Sequence, residues 1–407
     1  MNEKIKDKKE LSLMVVLFTV AYMVSYMTRI NYAAVISEME RETGIARSLL
    51  SMAVTGGFIT YGAGQIISGV LGDLVLPKKL VSIGFITTIL MNTAIPFCNS
   101  PYLKMVVWCV NGFAQSFMWP PMVKIMSVRL TTADYESTST KMAFGASFGT
   151  IAVYLLSPAL ISLWGWKSVF FFAAICAVII LLFWHKYCVD VTVSKPQKQE
   201  ETEVYEKGGI KALFTPVMIC VLIAIALHGM LRDGVITWMP TYISETYNLG
   251  SAVSILTGVV LPIFSITCIQ IATKIHQKKV DNILTCSGVL FAVATLAAIL
   301  LSLLSGVAAI FSVLCSAVLT GCMHGVNVML VCFVPNCFRK YGKVSTASGV
   351  INASTYIGSA AFTYGIALLS EKFGWGLTLK IWILIAAMGT LFSFLASKRW
   401  MTQYQNR

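Results

Sequence analysis

The chain has 407 residues, of which 57% are hydrophobic and only 12% are charged. Soluble domains have about 45–50% apolar and about 25% charged residues, so the composition excludes an ordinary soluble protein. The net charge of +13 would suit nucleic-acid binding, but the lysines and arginines gather at the amino terminus and in alternate loops between apolar segments. This positive-inside pattern predicts a protein of the lipid bilayer with both termini in the cytoplasm, and it implies no nucleic-acid partner.

Apolar segments of about twenty residues or more recur along the whole chain, and each is long enough to cross a hydrocarbon layer of about 30 Å. They are too long and too uniformly apolar for the strands of a β-barrel, so they predict transmembrane helices. The basic amino terminus leads straight into a full span without a cleavage site, which predicts no removable signal peptide. The twelve predicted spans are residues 12–36, 50–72, 80–98, 102–128, 138–163, 168–188, 212–243, 252–273, 282–304, 307–334, 344–369 and 377–397.

The polar segment at residues 190–211 separates the first six predicted spans from the last six. It is rich in charge, lacks hydrophobic periodicity and contains Pro196 and Gly208, which is typical of a linker. The sequence thus predicts an all-α membrane protein with an amino-terminal half at residues 1–189, a cytoplasmic linker at 190–211 and a carboxy-terminal half at 212–407.

Each half carries one arginine within its first predicted helix. Arg29 lies in the apolar stretch "VAYMVSYMTRINYAAVI" and Arg232 lies in "IALHGMLRDGVITWMPTYISETYNLG", both about 27–32 Å of helix rise from the cytoplasmic edge. An arginine near the bilayer centre costs about 2.5–3.5 kcal/mol on insertion scales and keeps its proton, so a compensating anion is expected. The planar guanidinium suits phosphate or carboxylate, which predicts that both arginines bind an anionic substrate. The alternative is an internal salt bridge, for which Asp233 is the main acid within the spans.

Other side chains share a helix face with these arginines or carry polar groups into the spans. Tyr26 lies three residues before Arg29 and therefore on the same face. His228 lies four residues before Arg232 and either titrates and couples a proton or packs in the core. Asp233 is expected to point about 100° away from Arg232, and so to pair with a neighbouring helix or to act in gating. Further candidates for the cavity lining, with packing as the alternative, are Gln115, Trp119, His324, Asn327, Asn352 and Tyr356.

The loop after the second span, "GVLGDLVLPKKL", resembles the signature that links spans 2 and 3 of major facilitator transporters. Its matching residues are Gly69, Leu71 and Asp73, followed by Lys78 and Lys79. The resemblance implies the major facilitator fold, with a substrate site between two halves that open alternately to the two sides of the membrane. Asp73 is expected to pair with a cation or a helix terminus and so to latch the cytoplasmic side.

Three stretches resemble the organophosphate:phosphate antiporter family, which includes glycerol-3-phosphate and hexose-6-phosphate transporters. They are "SYMTRINYAA", "NGFAQSFMWPPMVKIM" and "LRDGVITWMPTYISE". The resemblance implies that Arg29 and Arg232 hold the substrate phosphate. In the glycerol-3-phosphate members a lysine on span 2 and a histidine on span 5 help to form the site, and this sequence has Gln65 and Ala146 (or the neighbouring Ser147) at the matching positions. Gln65 is thus a candidate contact in a site that is less cationic than in those members.

The sequence predicts a secondary active transporter of phosphorylated small organic anions, such as sugar or polyol phosphates, in exchange for inorganic phosphate. The first alternative is a proton-coupled symporter of organic carboxylates, because anion:cation symporters share an Arg–x–Asn pattern that appears here as Arg29-Ile30-Asn31. The second is a transporter-like membrane sensor of sugar phosphate. No nucleophile–base set, nucleotide motif or metal-spaced cysteine cluster is present in the sequence, so we expect neither an enzyme nor a cofactor. We expect a monomer in a bacterial inner membrane.

Overall fold

The computed structural model describes residues 4–45, 47–191, 209–248 and 251–405. Within these ranges it is almost entirely helical and contains no β-strand, which confirms the prediction of an all-α membrane protein. Most of the predicted linker, residues 192–208, lies outside the described residues.

The main helices follow the predicted spans in chain order. Eight helical segments of the described chain are long and apolar enough to cross a membrane, and the glycine-rich second span is helical as well. The bounds are α1 (Lys8–Thr43), α2 (Arg47–Leu74), α3 (Pro77–Ala94), α4 (Pro101–Gln115), α5 (Trp119–Arg129), α6 (Thr132–Trp164), α7 (Lys167–Tyr187), α8 (Pro216–Tyr247), α9 (Ser251–Lys278), α10 (Ile283–Leu303), α11 (Ala309–Asn327) and α12 (Val344–Trp400), with 3₁₀-helical segments at Ile95–Phe97, Gly209–Phe214 and Val334–Tyr341 and π-helical segments at Val328–Phe333 and Met401–Gln405.

Two regions of the chain are interrupted differently from the prediction. The predicted span 102–128 is divided into α4 and α5 by a turn at residues 116–118, after which Pro120 and Pro121 lie in the first turn of α5. Proline has no amide hydrogen and fits best in the first turn of a helix, so it favours a new helix start here. Conversely, the last two predicted spans are joined in α12, where Gly374 leaves the helical conformation with a φ of 73°. Glycine adopts this conformation without a steric penalty.

The helices form two compact units. The first unit consists of Met1–Glu206 with Gly342–Val350, and the second consists of Lys207–Tyr341 with Ile351–Arg407. The first unit therefore includes the start of α12 together with α1 to α7. The predicted boundaries of the two halves and their linker stay a prediction, because most of the linker lies outside the described part of the chain.

In the first unit, α1 packs against α6 and α7, and α2 packs against α4. The contact between α2 and α4 depends on glycine, because a Cβ atom added to Gly112 would lie 2.2 Å from the carbonyl oxygen of Gly57. Tyr32, Trp108 and Phe170 form an aromatic core among α1, α4 and α7, in which the ring centroids of Tyr32 and Trp108 are 4.9 Å apart. Glycines at contacts such as that between α2 and α4 let helix backbones approach closely within a membrane.

In the second unit, α11 packs against α8, α9 and α10. The helices α8 and α12 also approach closely through two glycines. A Cβ atom added to Gly358 would lie 2.1 Å from the carbonyl oxygen of Ala226, and one added to Gly229 would lie 2.2 Å from that of Thr355. This approach brings polar groups of α12 within reach of side chains on α8.

We expect Gly358→Ala to destabilise the protein and Gly365→Ala, on the same helix, to leave it as stable or more so. An alanine at position 358 must displace the backbone of α8, and overpacking of this kind costs about 1–3 kcal/mol. At position 365 a Cβ atom would lie 4.0 Å from the ring of Phe362, and alanine favours the helix over glycine by about 1 kcal/mol. Thermal unfolding of both purified variants in one detergent measures the difference. Equal melting temperatures would contradict a tight contact between α8 and α12.

Candidate functional site

Arg29 lies on α1 between the rings of two tyrosines of the first unit. Its guanidinium carbon is 4.1 Å from the ring centroid of Tyr26 and 4.7 Å from that of Tyr61, which lies on α2. Cation–π contacts of this kind stabilise a cation by about 0.5–2 kcal/mol, more where water is excluded. The predicted neighbourhood of Tyr26 and Arg29 is thus present. Sequence reasoning missed Tyr61, which follows no periodic relation to Arg29 because it comes from another helix.

A network of buried amides and hydroxyls holds α1 next to Arg29. The Asn31 amide nitrogen donates to the Asn92 side-chain oxygen on α3 at 2.8 Å, and Asn92 in turn donates to the carbonyl oxygen of Thr28 at 3.2 Å. From α4, the Gln115 amide nitrogen donates to the Thr28 hydroxyl at 2.8 Å. Hydrogen bonds to α3 and α4 therefore restrict the rotation of α1 about its axis. Gln115, predicted as a cavity-lining residue, here binds α1.

Two other predicted side chains of the first unit are fully buried. Gln65 lies one helical turn after Tyr61 on α2, and neither of its amide atoms has a hydrogen-bond partner among the described residues. Trp119 packs against Tyr22, with ring centroids 5.0 Å apart. A buried amide without partners costs about 1–3 kcal/mol, so Gln65 is a group that a polar ligand would stabilise.

In the second unit, Arg232 forms a two-point ion pair with the next residue along α8. Its Nε donates to Oδ1 of Asp233 at 2.7 Å, and its Nη2 donates to Oδ2 at 2.9 Å. The prediction that Asp233 points away from Arg232 is wrong, because the arginine side chain is long enough to turn along the helix surface and meet Asp233 although the two Cβ atoms diverge. The alternative prediction, an internal salt bridge to Asp233, is confirmed for Arg232.

Neighbouring helices hold both members of this pair. The Ser359 hydroxyl on α12 donates to Oδ2 of Asp233 at 2.5 Å, so the predicted contact of Asp233 with a neighbouring helix is also present. Nη1 of Arg232 donates to the side-chain oxygen of Asn327 at 3.2 Å. Asn327 ends α11 where the chain enters the π-helical segment Val328–Phe333. Such segments change the direction of side chains and occur often at functional sites.

Two histidines, one tyrosine and Asn352, which is buried on α12, complete the predicted set in the second unit. His228 is fully buried on α8, and neither ring nitrogen has a partner in the described part of the chain. His228 and His324 both lie within electrostatic range of Arg232 and Asp233. Tyr356 is half-buried on α12, one turn before Ser359. The structure thus gathers His228, Arg232 and Asp233 into one polar cluster of the second unit.

Asp73, the predicted gating residue, lies at the end of α2 and caps the start of α12 within the first unit. Its carboxylate accepts hydrogen bonds from the backbone nitrogens of Ser345 at 3.2 Å and Thr346 at 2.8 Å. Nζ of Lys124 on α5 lies 3.2 Å from Oδ1, and the Asp73 side chain is only 1% exposed. The predicted pairing of Asp73 with a cation and a helix terminus is therefore present, since the amino end of a helix carries a partial positive charge. Sequence reasoning did not identify Lys124 as the cation.

Known proteins show similarity to this chain at the level of family, sequence and fold. A family model described as Major Facilitator Superfamily matches residues 18–363. The glycerol-3-phosphate transporter of Bacillus subtilis (strain 168) is 26% identical over 251 residues, which are 56% of this chain and 56% of that protein. The voltage-gated purine nucleotide uniporter SLC17A9 of Rattus norvegicus is 21% identical over 243 residues, 54% of this chain and 52% of that protein. The matches thus span only about half the length of these relatives.

The fold is also similar to solved structures of transporters. One is the proton:xylose symporter XylE, a major facilitator protein bound to 6-bromo-6-deoxy-D-glucose. It superposes with a TM-score of 0.75 at 12% sequence identity, over 98% of this chain and 96% of that one. At this identity the likeness extends to the fold alone.

We expect Asp73→Asn and Lys124→Met to be strongly non-additive in their effect on stability. Each variant alone leaves a buried charge without its partner, whereas the double variant removes both charges. Directly interacting pairs show coupling energies of about 0.5–3 kcal/mol, and burial places this pair toward the upper end. Chemical unfolding of the three variants and the wild type measures the coupling. As a control, Asp73→Asn combined with Lys79→Met, an exposed lysine, is expected to be additive within about 0.5 kcal/mol.

Proposed function

The chain belongs to the Major Facilitator Superfamily, and on that premise we propose that it transports phosphorylated small organic anions in exchange for inorganic phosphate. The membership and the long apolar helices make it a multi-pass membrane protein. The phosphorylated substrate, the exchange with phosphate and the mechanism of alternating access belong to the proposal. We further propose a monomer in a bacterial inner membrane with both termini in the cytoplasm, on the basis of the charge distribution along the sequence.

The observation that carries the proposal is the pair of arginines, each half-buried on the first long helix of its unit. Arg29 is held by the Tyr26 and Tyr61 rings, and Arg232 is held by Asp233 and Asn327. These non-covalent contacts hold each guanidinium in a fixed position. A guanidinium fixed in this way presents directed N–H donors to phosphate, at a lower entropic cost per hydrogen bond than lysine.

The names of the relatives favour a phosphorylated substrate. Glycerol 3-phosphate and purine nucleotides, named in the two relatives reported above, share a phosphoryl group attached to a small organic body. The names of these relatives do not indicate exchange, because the nucleotide carrier is named a uniporter and the other name states no mode of coupling. The relatives therefore support the substrate class, whereas exchange with phosphate rests on the resemblance of the three sequence stretches.

Within this function we propose distinct roles for the predicted residues. Arg29 and Arg232 bind the anionic group of the substrate, and Tyr26 supports Arg29. Gln65 offers a buried amide to a substrate oxygen. Gln115 acts as a positioning residue, since its amide binds Thr28 of α1. The remaining proposals are substrate contacts for His228, Trp119 and Tyr356, and gating or coupling roles for Asp73 and Asp233.

A second candidate function is proton-coupled symport of organic carboxylates. The observation in its favour is the carboxylate of Asp233 in direct contact with Arg232, because symport requires a titratable group coupled to the anion site. The Arg–x–Asn pattern gives it less support, since Asn31 binds Asn92 of the neighbouring helix in this fold. The two functions differ in the substrate they accept and in the ion that drives uptake.

We expect Arg29→Lys to reduce uptake of glycerol 3-phosphate or glucose 6-phosphate into proteoliposomes by at least about tenfold. Lysine keeps the charge but loses the two-point geometry, and a hydrogen bond to a charged group contributes about 1.5–3 kcal/mol. The matched control is Arg41→Lys on the same helix, whose exposed side chain pairs with Glu38; this variant is expected to transport normally. Normal uptake by Arg29→Lys would contradict the proposed role of Arg29.

We expect exchange of internal phosphate for external organophosphate to run at least about tenfold faster than net efflux into phosphate-free buffer. An antiporter must reorient slowly when empty, and a barrier higher by about 1.4 kcal/mol slows reorientation tenfold. Counterflow of labelled glycerol 3-phosphate or glucose 6-phosphate in loaded proteoliposomes measures both rates. Equal rates would contradict exchange, uptake of carboxylates alone would favour the symporter, and binding without any flux would favour a sensor.

A further inference from the structure

Asp233 occupies one edge of Arg232 through which a substrate phosphate could bind. Its two carboxylate oxygens accept hydrogen bonds from Nε and Nη2, which form one of the two-donor edges of the guanidinium. Phosphate and carboxylate both bind arginine through two such parallel hydrogen bonds. The carboxylate of Asp233 therefore offers Arg232 what the proposed ligand would offer, namely negative charge and two acceptor oxygens.

The Arg232–Asp233 pair is held in a partly desolvated place. The Arg232 side chain is 14% exposed and that of Asp233 is 28% exposed, and the Ser359 hydroxyl stabilises the ionised carboxylate with a further hydrogen bond. A substrate anion beside Asp233 would bring two negative charges to one guanidinium. Like charges at hydrogen-bond distance repel strongly where water is scarce, and one bound proton removes that repulsion.

We propose that Asp233 is an internal counter-anion that competes with the substrate for Arg232, and that it gives way when it binds a proton. The inference rests on the proposed function, in which Arg232 binds the substrate anion. The proton comes from the aqueous phase together with the anion, adds to a carboxylate oxygen of Asp233 and returns to the aqueous phase when the anion leaves. Each anion is then carried with one proton, in exchange and in net transport alike.

Other titratable groups surround Asp233 and have to be separated from it. On α8 these are Arg232, which keeps its proton, and the buried His228; on α11 it is His324. α12 contributes the hydroxyl of Ser359, which does not titrate in this range. In the described part of α9, the basic side chains lie in the last two turns, at Lys274, His276 and Lys278, and Cys268 precedes them.

The sign of the linkage follows from the competition. Proton binding to Asp233 favours anion binding, and by reciprocity anion binding favours proton binding. Where Asp233 is ionised in the empty protein and protonated in the complex, anion affinity therefore falls by up to about tenfold for each unit of rising pH. Where Asp233 is already protonated in the empty protein, the affinity for the anion no longer changes with pH through this residue. A purely structural Asp233, which only orients Arg232, predicts the opposite effect of its removal, namely weaker binding at every pH.

The test compares the wild type with Asp233→Asn, using purified full-length protein and inorganic phosphate as the probe. Titration calorimetry between pH 6 and pH 8, in buffers with different ionisation enthalpies, gives the affinity and the number of protons taken up per phosphate. Asp233→Asn is expected to bind phosphate at least about tenfold more tightly at the upper end of this range, and to take up as much as one proton fewer. The protonation of phosphate itself is common to both proteins and cancels in the difference.

The matched control is Glu245→Gln, which makes the same change of acid to amide on the same helix, at an exposed residue bonded to Trp375. It is expected to bind phosphate as the wild type does. A second variant, Ser359→Ala, keeps the carboxylate but removes one donor to its ionised form, so the pH profile is expected to move to higher pH without losing its slope.

Two results would overturn the inference while leaving the proposed function intact. One is weaker phosphate binding by Asp233→Asn at every pH, with Ser359→Ala leaving the pH profile of the wild type unchanged. The other is an unchanged proton uptake in Asp233→Asn, which would assign the titration to His228 or His324. By contrast, a wild type that binds neither phosphate nor organophosphates would overturn the proposed function, and the inference with it.

Discussion

The charge of a guanidinium group within an apolar helix has to be compensated, and both units are built around that constraint. In the first unit, Arg29 lies against the rings of Tyr26 and Tyr61. In the second, Arg232 lies against the carboxylate of Asp233 and the amide of Asn327. The two solutions differ in chemistry, because a ring face stabilises a cation without resembling an anionic ligand, whereas a carboxylate binds a guanidinium through the same two-point hydrogen bonding as an anionic ligand.

Close helix contacts through glycine make these arrangements possible. Ser359 reaches Asp233 because α8 and α12 approach at Gly229 and Gly358, where any larger residue would hold the backbones apart. The start of α12 reaches Asp73 for the same reason, since a Cβ atom on Gly69 would lie 2.8 Å from the carbonyl oxygen of Ser345. Both of these polar contacts therefore depend on a neighbouring contact between small residues.

The sequence predicts those features that depend on one helix at a time. The spans follow from hydrophobicity, because a bilayer requires every spanning segment to be apolar and internally hydrogen-bonded. The neighbourhood of Tyr26 and Arg29 follows from helical spacing. Tyr61 could not be predicted in this way, because its relation to Arg29 depends on the packing of α2 against α1. The ion pair with Asp233 was predicted only as an alternative, since the 100° rule describes Cβ directions and ignores the length of an arginine side chain.

The difference between the two arginines suggests how binding and coupling are divided on the proposed function. A cation held by ring faces keeps its electrostatic attraction for an anion throughout the neutral pH range, because arginine keeps its proton there. A cation paired with a carboxylate attracts a second anion only to the extent that the carboxylate releases the cation. The first arrangement suits constant recognition, and the second suits a response to proton concentration. Arg29 would then determine that an anion binds, and the Arg232–Asp233 pair would determine whether a proton accompanies the anion.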